Sequence, residues 1–299
     1  MAFLSVVIVL LLVQWWGSAK ILHQDLWFLK FWQWLERNVS LPVPFCIMLS
    51  VAVPVLVVAL LLVWLDGYAG GLWLLLVNVV VLLYSLGRGQ FSEPLHEYID
   101  AAHCGQSAKA AHIVETMNLD PHLRSNSQEE SWVGLNHDAL RVFSYRGFER
   151  MFAVLFWFLL AGAAGALAYR LVVILWSQML QVNHKGAPVV TKMIVWIEWP
   201  AACLMGLSWA LVGNFDACVK SLRQGVLSLS EPTPSYLARV LRGALGDEVA
   251  EQTKTQATAT QTVTVEPSYS LSLVEQIGSM FSRALLLWVV VAAIVTLIF

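Results

Sequence analysis

Apolar residues run along this chain in stretches too long for half-buried strands. Four of them, Phe45 to Leu65, Gly71 to Leu86, Met151 to Val173 and Met193 to Gly213, approach the roughly 20 residues that cross about 30 Å of hydrocarbon. Each is predicted to be a membrane span. Shorter runs open and close the chain, Met1 to Val13 and Ala284 to Phe299, and are predicted to be membrane segments that need tilt or neighbours. The opening run is followed by Gly17-Ser18-Ala19 but lacks the positive n-region of a secretory signal, so it is read as retained.

Between these runs the period changes. In KILHQDLWFLKFWQWLERN, Trp27, Trp32 and Trp34 interleave with Lys20, Lys30 and Arg37. Amphipathic rings and basic stems suit the headgroup layer, which predicts an interfacial helix. Beyond Gly89, the residues Phe91, Leu95, Tyr98, Ile99 and Ala102 fall on one helical face, with Glu93, His96, Glu97, Asp100 and His103 opposite. Gly105 interrupts, and Ala110, Ile113, Val114 and Met117 mark a second amphipathic helix. The pair predicts a helical hairpin docked by its apolar stripes.

Charge sets the expected orientation. Asp66 to Gly70 is short, without Lys or Arg, and flanked by Trp64 and Trp73, which predicts an outward turn. Arg88 to Arg150 and Asn214 to Arg283 carry six Lys or Arg each and are assigned to the cytoplasm. The expected fold class is all-α, a multi-pass transmembrane helical bundle with a cytoplasmic helical hairpin module. Six segments result: 1–44 as N-terminal membrane segment and interfacial helix, 45–87 as a transmembrane hairpin, 88–150 as the cytoplasmic module, 151–213 as a second transmembrane pair, 214–283 as a cytoplasmic segment with a Thr-rich linker, and 284–299 as a last span.

Composition agrees: 58% of residues are hydrophobic, 13% are charged, and the mean hydropathy is +0.68. These values belong to an integral membrane protein. The formal net charge of −2 offers no global attraction to nucleic acid, and the expected surroundings are the lipid bilayer.

Few residues carry candidate chemistry. Gly87-Arg88-Gly89 lacks the preceding strand and the Lys-Ser or Lys-Thr of a phosphate loop, so it reads as a helix exit. Glu93 and His96 have Glu-x-x-His spacing but lie opposite the apolar stripe, which predicts a solvated face rather than a metal site. Cys46, Cys104, Cys203 and Cys218 form no Cys-x-x-Cys, and neither disulfide, zinc nor any cofactor is expected. Asn78 is read as bonding a neighbouring helix, and Glu198, just before Pro200, as lying near a helix start at the interface. Arg146 and Arg150 are four apart and, on an α-helix, share a face that suits a carboxylate or phosphate, although both also suit snorkelling to headgroups. With Glu149, with Tyr169 and Arg170 at the other end of the same strip, and with Arg88, they make up the candidate binding residues. No catalytic residue is assigned.

The strip RGFERMFAVLFWFLLAGAAGALAYRL, from Arg146 to Leu171, resembles the AmpE family of bacterial inner-membrane proteins. YSLGRG at Tyr84 to Gly89 and EWPAACLMGLSWALVGNFDA at Glu198 to Ala217 are similar to two more of its signatures. The resemblance implies a multi-pass inner-membrane protein with a regulatory role in β-lactamase induction and muropeptide recycling, and, as partners, a cytoplasmic or membrane protein or an anionic cell-wall fragment. More remotely, the chain is similar to membrane enzymes of cobalamin assembly that form an amide bond. Their Asn, Thr and Asp positions hold Val173, Ile174 and Trp176 here, and an apolar side chain neither accepts a proton nor coordinates a metal. A non-enzymatic modulator is therefore the expected function, with a synthase-related enzyme second. A transporter comes third, since no internal repeat is evident.

Overall fold

The structure is a computed structural model. It describes residues 2–16, 25–39, 42–68, 71–86, 92–118, 131–226, 231–246 and 267–298, and among these every regular element is helical. The chain divides into two compact units, one made of Met1–Gln90, Glu149–Ile197 and Phe299, the other of Phe91–Phe148 and Glu198–Ile298. The Gly87-Arg88-Gly89 exit and the Thr-rich linker lie outside the described residues.

The first unit contains α1 (Ala2–Trp16), α2 (Leu26–Asn38), α3 (Val43–Tyr68), α4 (Gly71–Ser85), a π-helical turn (Phe148–Phe152), α8 (Ala153–Gln181) and the start of α9 (Ala187–Val212). Apolar side chains surround α3, and Leu56, Val57, Leu60 and Val63 stay exposed, as expected of a helix whose outer solvent is lipid. Its inner side meets α8, while α4 packs between α1 and α8. In α2 the residues Phe28, Trp32 and Leu35, at successive helical turns, are buried, whereas Leu26, Trp27 and Trp34 are exposed. Asn78 does not reach a neighbouring helix as expected: its Nδ2 donates to the Leu74 carbonyl one turn earlier in α4, at 2.9 Å.

The run expected as a single crossing from Met151 is broken. Ala161 (φ −128°, ψ 16°) and Gly162 (φ 66°, ψ −161°) leave helical geometry inside α8. The Gly162 conformation is one that essentially only glycine adopts. Past this point the chain folds back. A Cβ on Gly165 would lie 2.7 Å from the Trp157 carbonyl oxygen, although eight residues of straight helix span about 12 Å. Glycine at 165 is what lets the two legs, Ala153 to Leu160 and Ala163 to Gln181, cross so closely.

The second unit is centred on α7 (Trp132–Gly147), which packs against α6 (Ser107–Met117), α11 (Thr233–Leu245), α12 (Pro267–Glu275) and α13 (Ile277–Ile298), while α10 (Phe215–Val226) packs on α11. α5 (Ser92–His103) and α6 pack against each other, but as part of the second unit and not as the distinct module expected. Leu95 and Tyr98 are buried on α5, and Ala110, Ile113, Val114 and Met117 on α6. A fully buried aliphatic side chain of this kind is worth about 1.5–3 kcal/mol, which is what holds so short a pair together. Tyr98 Oη donates to Asn136 Oδ1 at 2.6 Å, and Asn136 Nδ2 donates to Ser270 Oγ at 2.8 Å, linking α5, α7 and α12 through buried polar groups. Between α9 and α13, Trp288 Nε1 donates to Ser208 Oγ at 2.7 Å, and Phe281 meets Trp209 edge to face at 5.4 Å. The last helix is 22 residues long and starts well before the apolar tail read from the sequence.

By length and composition four helical stretches among the described residues could cross a membrane: Val43–Leu65, Trp132–Gln181, Ala187–Val212 and Ser270–Val291. Gly71–Ser85 is shorter than the expected span. The molecule is thus an all-α, multi-pass helical bundle, with Trp132–Gln181 bent back on itself rather than drawn straight across.

Candidate functional site

Folding α8 back brings distant charges together. Arg170, on the returning leg, places Nη1 3.3 Å from Glu149 Oε1 in the π turn and Nη2 3.7 Å from Asp25 Oδ2, just before α2. Glu149 is 2% exposed and Arg170 8%. Charges buried to this degree survive only when paired, since an isolated one costs several kcal/mol of desolvation. Arg170 Nε remains buried with no hydrogen-bond partner, so the guanidinium is only partly satisfied.

From Asp25 a polar chain leads outward. Tyr84 Oη donates to Asp25 Oδ1 at 3.4 Å, and Trp27 Nε1 donates to Tyr84 Oη at 3.1 Å. α4 and α2 thus supply one aromatic group each, with ring centroids 6.4 Å apart. At the far end of α2, Glu36 Oε1 lies 2.7 Å from His184 Nε2, while His184 Nδ1 accepts the Gly186 N–H at 3.0 Å. Asp25, just before α2, thus reaches Arg170, and Glu36 near the end of α2 reaches His184, while α2 itself packs on α3.

The sequence-predicted residues separate accordingly. Glu149 and Arg170 meet, and the adjacent Tyr169 is 1% exposed. Arg146 belongs to the second unit, where its Nε donates to the Met117 carbonyl at 2.5 Å. Arg146 lies in α7, and Arg150 lies in the π turn that begins at Phe148. Arg88 lies outside the described residues. Sequence reasoning missed Asp25 altogether, and it took Trp27 and Tyr84 only as an interface ring and part of a signature.

A second buried acid lies in the other unit. Glu198 is 1% exposed and accepts a hydrogen bond from Tyr145 Oη at 2.8 Å. It was expected near a helix start; instead α9 begins at Ala187, so Glu198 and Pro200 are both interior. Glu93, His96, Glu97 and Asp100 are exposed as predicted, and His103 pairs across to Glu275 at 2.9 Å. Among the described residues no three His, Cys, Asp or Glu side chains gather into a metal site. Burial pushes the Tyr98 phenol far above its usual range, with the Asp138 charge adding to the shift.

No curated protein and no solved structure matches the chain significantly. Residues 1–274 match the family model described as "Regulatory signalling modulator protein AmpE". This multi-pass inner-membrane chain therefore belongs to the AmpE family.

Proposed function

We propose that this protein is a non-enzymatic modulator of β-lactamase induction and muropeptide recycling, acting from the inner membrane. The family match over residues 1–274 is the observation that carries a regulatory role. Apolar Val173, Ile174 and Trp176, all buried, support the non-enzymatic reading, and nothing in the family match favours a cobalamin-type synthase. The packing of α7 against α11 and α12 supports placing segments 92–147 and 215–275 on one membrane face, which we assign to the cytoplasm.

Within this reading the Glu149–Arg170 pair is the working part. A buried ion pair is a poor stabiliser compared with apolar packing, but it suits an element with two arrangements. The test is β-lactamase induction in cells carrying Arg170→Lys, which keeps the charge but not the two-pronged fork. Loss of modulation at normal membrane levels is expected. Full modulation by both Arg170→Lys and Arg170→Leu would place the activity elsewhere.

A further inference from the structure

Along α2 the buried and exposed residues fall on separate sides. Phe28, Trp32 and Leu35 are buried, and the helix packs on α3. At 100° per residue, Trp27, Lys30, Trp34 and Arg37 share a stripe about 80° wide, turned away from that buried side. All four are exposed, Trp27 by 45% and Trp34 by 57%. Phe31 stacks on Trp34, with ring centroids 6.3 Å apart and planes inclined at 16°. Neither Lys30 nor Arg37 has a carboxylate partner among the described residues. Glu36, the one acid within α2, lies round the helix from the stripe and is engaged by His184 at 2.7 Å. The depth of the stripe follows from α3. Only residues 39–42 separate Asn38 from Val43, where a run able to cross the membrane begins. That connection reaches at most about 18 Å, so the last turn of α2 lies close to where α3 enters the hydrocarbon. Headgroup phosphates occupy that level, indole rings favour it, and long basic stems reach into it.

We propose that the stripe of Trp27, Lys30, Trp34 and Arg37 docks on anionic phospholipid headgroups, so that α2 responds to the negative charge of the bilayer surface. A zwitterionic headgroup carries its own ammonium and offers two unpaired cations little net attraction, whereas an anionic leaflet strengthens binding about fivefold per Lys or Arg. Lys30 and Arg37 stand seven residues apart, about 10 Å along the axis, and so meet separate phosphates. Arg37 brings a planar fork and Lys30 a compact charge, and a phosphodiester accepts hydrogen bonds from either. The occupant is a lipid and not a soluble phosphate, because two exposed indole rings beside the cations suit a boundary between apolar and polar surroundings, which a bilayer supplies. Nothing in this docking depends on the regulatory role.

The experiment follows amide hydrogen exchange in residues 26–38 of the full chain, in nanodiscs of phosphatidylcholine alone and in discs that also contain phosphatidylglycerol. Phosphatidylglycerol should slow this exchange about tenfold or more. The added protection should fade as salt shortens the screening length from about 30 Å at 0.01 M to about 3 Å at 1 M. Lys30→Gln combined with Arg37→Gln should abolish the phosphatidylglycerol response and leave exchange in phosphatidylcholine as it was, since both side chains are exposed. Should that variant fail to reconstitute, the salt series on the unaltered chain decides, and protection that persists undiminished at high salt overturns the proposal. Equal exchange in the two kinds of disc overturns it, as does a phosphatidylglycerol response that the double variant keeps. Protection by an added oligonucleotide or heparin in phosphatidylcholine discs, with none from phosphatidylglycerol, also overturns it and assigns the face to a soluble polyanion.

Discussion

Glu149 and Arg170 stand 21 positions apart in the chain, and their side chains meet at 3.3 Å. On a straight helix their Cα atoms would be about 31 Å apart, far beyond the combined reach of the two side chains. The contact therefore requires the reversal at Ala161 and Gly162.

Spin labels at Met151 and Ala168 read that reversal directly. A straight helix would separate these positions by about 26 Å. Pulsed electron paramagnetic resonance should give a distance far shorter than that, and a distribution centred near the straight-helix value would refute the fold-back.

Gly162→Ala forces a side chain into a backbone region essentially reserved for glycine, at a cost of about 1–3 kcal/mol, even though no atom lies within 4 Å of the added Cβ. Gly278→Ala is the contrast: its Cβ would meet only Leu95 Cδ2 at 4.0 Å, and the change in α13 should be neutral or stabilising by up to about 1 kcal/mol. Melting curves of the two variants in detergent should move apart; a matching loss in both would remove the special role of residue 162.

Removing one partner of the buried pair should cost more than removing both. Arg170→Leu takes the guanidinium away from the buried Glu149 and is expected to destabilise by about 3–5 kcal/mol, and adding Glu149→Leu should restore part of that loss. An additive double variant in the same melting assay would show that the two side chains are not energetically coupled.

Tyr98 makes stability depend on alkaline pH. Its folded pKa is raised by burial, so the folded state holds the phenolic proton more tightly than the unfolded chain does. That contribution is complete below the unfolded value of about 10 and is lost as pH rises above it. Tyr98→Phe should melt lower at neutral pH, because Asn136 loses its donor, yet lose less stability between about pH 9.5 and 11. An unchanged slope in that window would mean another group controls it.

What was legible in the sequence is what periodicity encodes. The stripe Ala110, Ile113, Val114 and Met117 is buried as read, because a 3.6-residue period leaves no other face for these side chains. Long apolar runs likewise announce spans. The clasp at Arg170 was hidden because AGAAGA reads like ordinary small-residue packing, and one glycine's sign of φ decides whether the helix continues or turns back. Asp25 had no pattern at all: it is a single carboxylate just ahead of α2, and it gains meaning from partners 59 and 145 positions away.

His184 carries a consequence of its own. Because Nδ1 accepts the Gly186 N–H, the ring's hydrogen sits on Nε2, facing Glu36. The imidazole in this way holds two elements with one hydrogen: it donates toward Glu36 on α2 and accepts from the backbone just ahead of the first turn of α9, so a side chain that could only donate or only accept would keep one tie and lose the other.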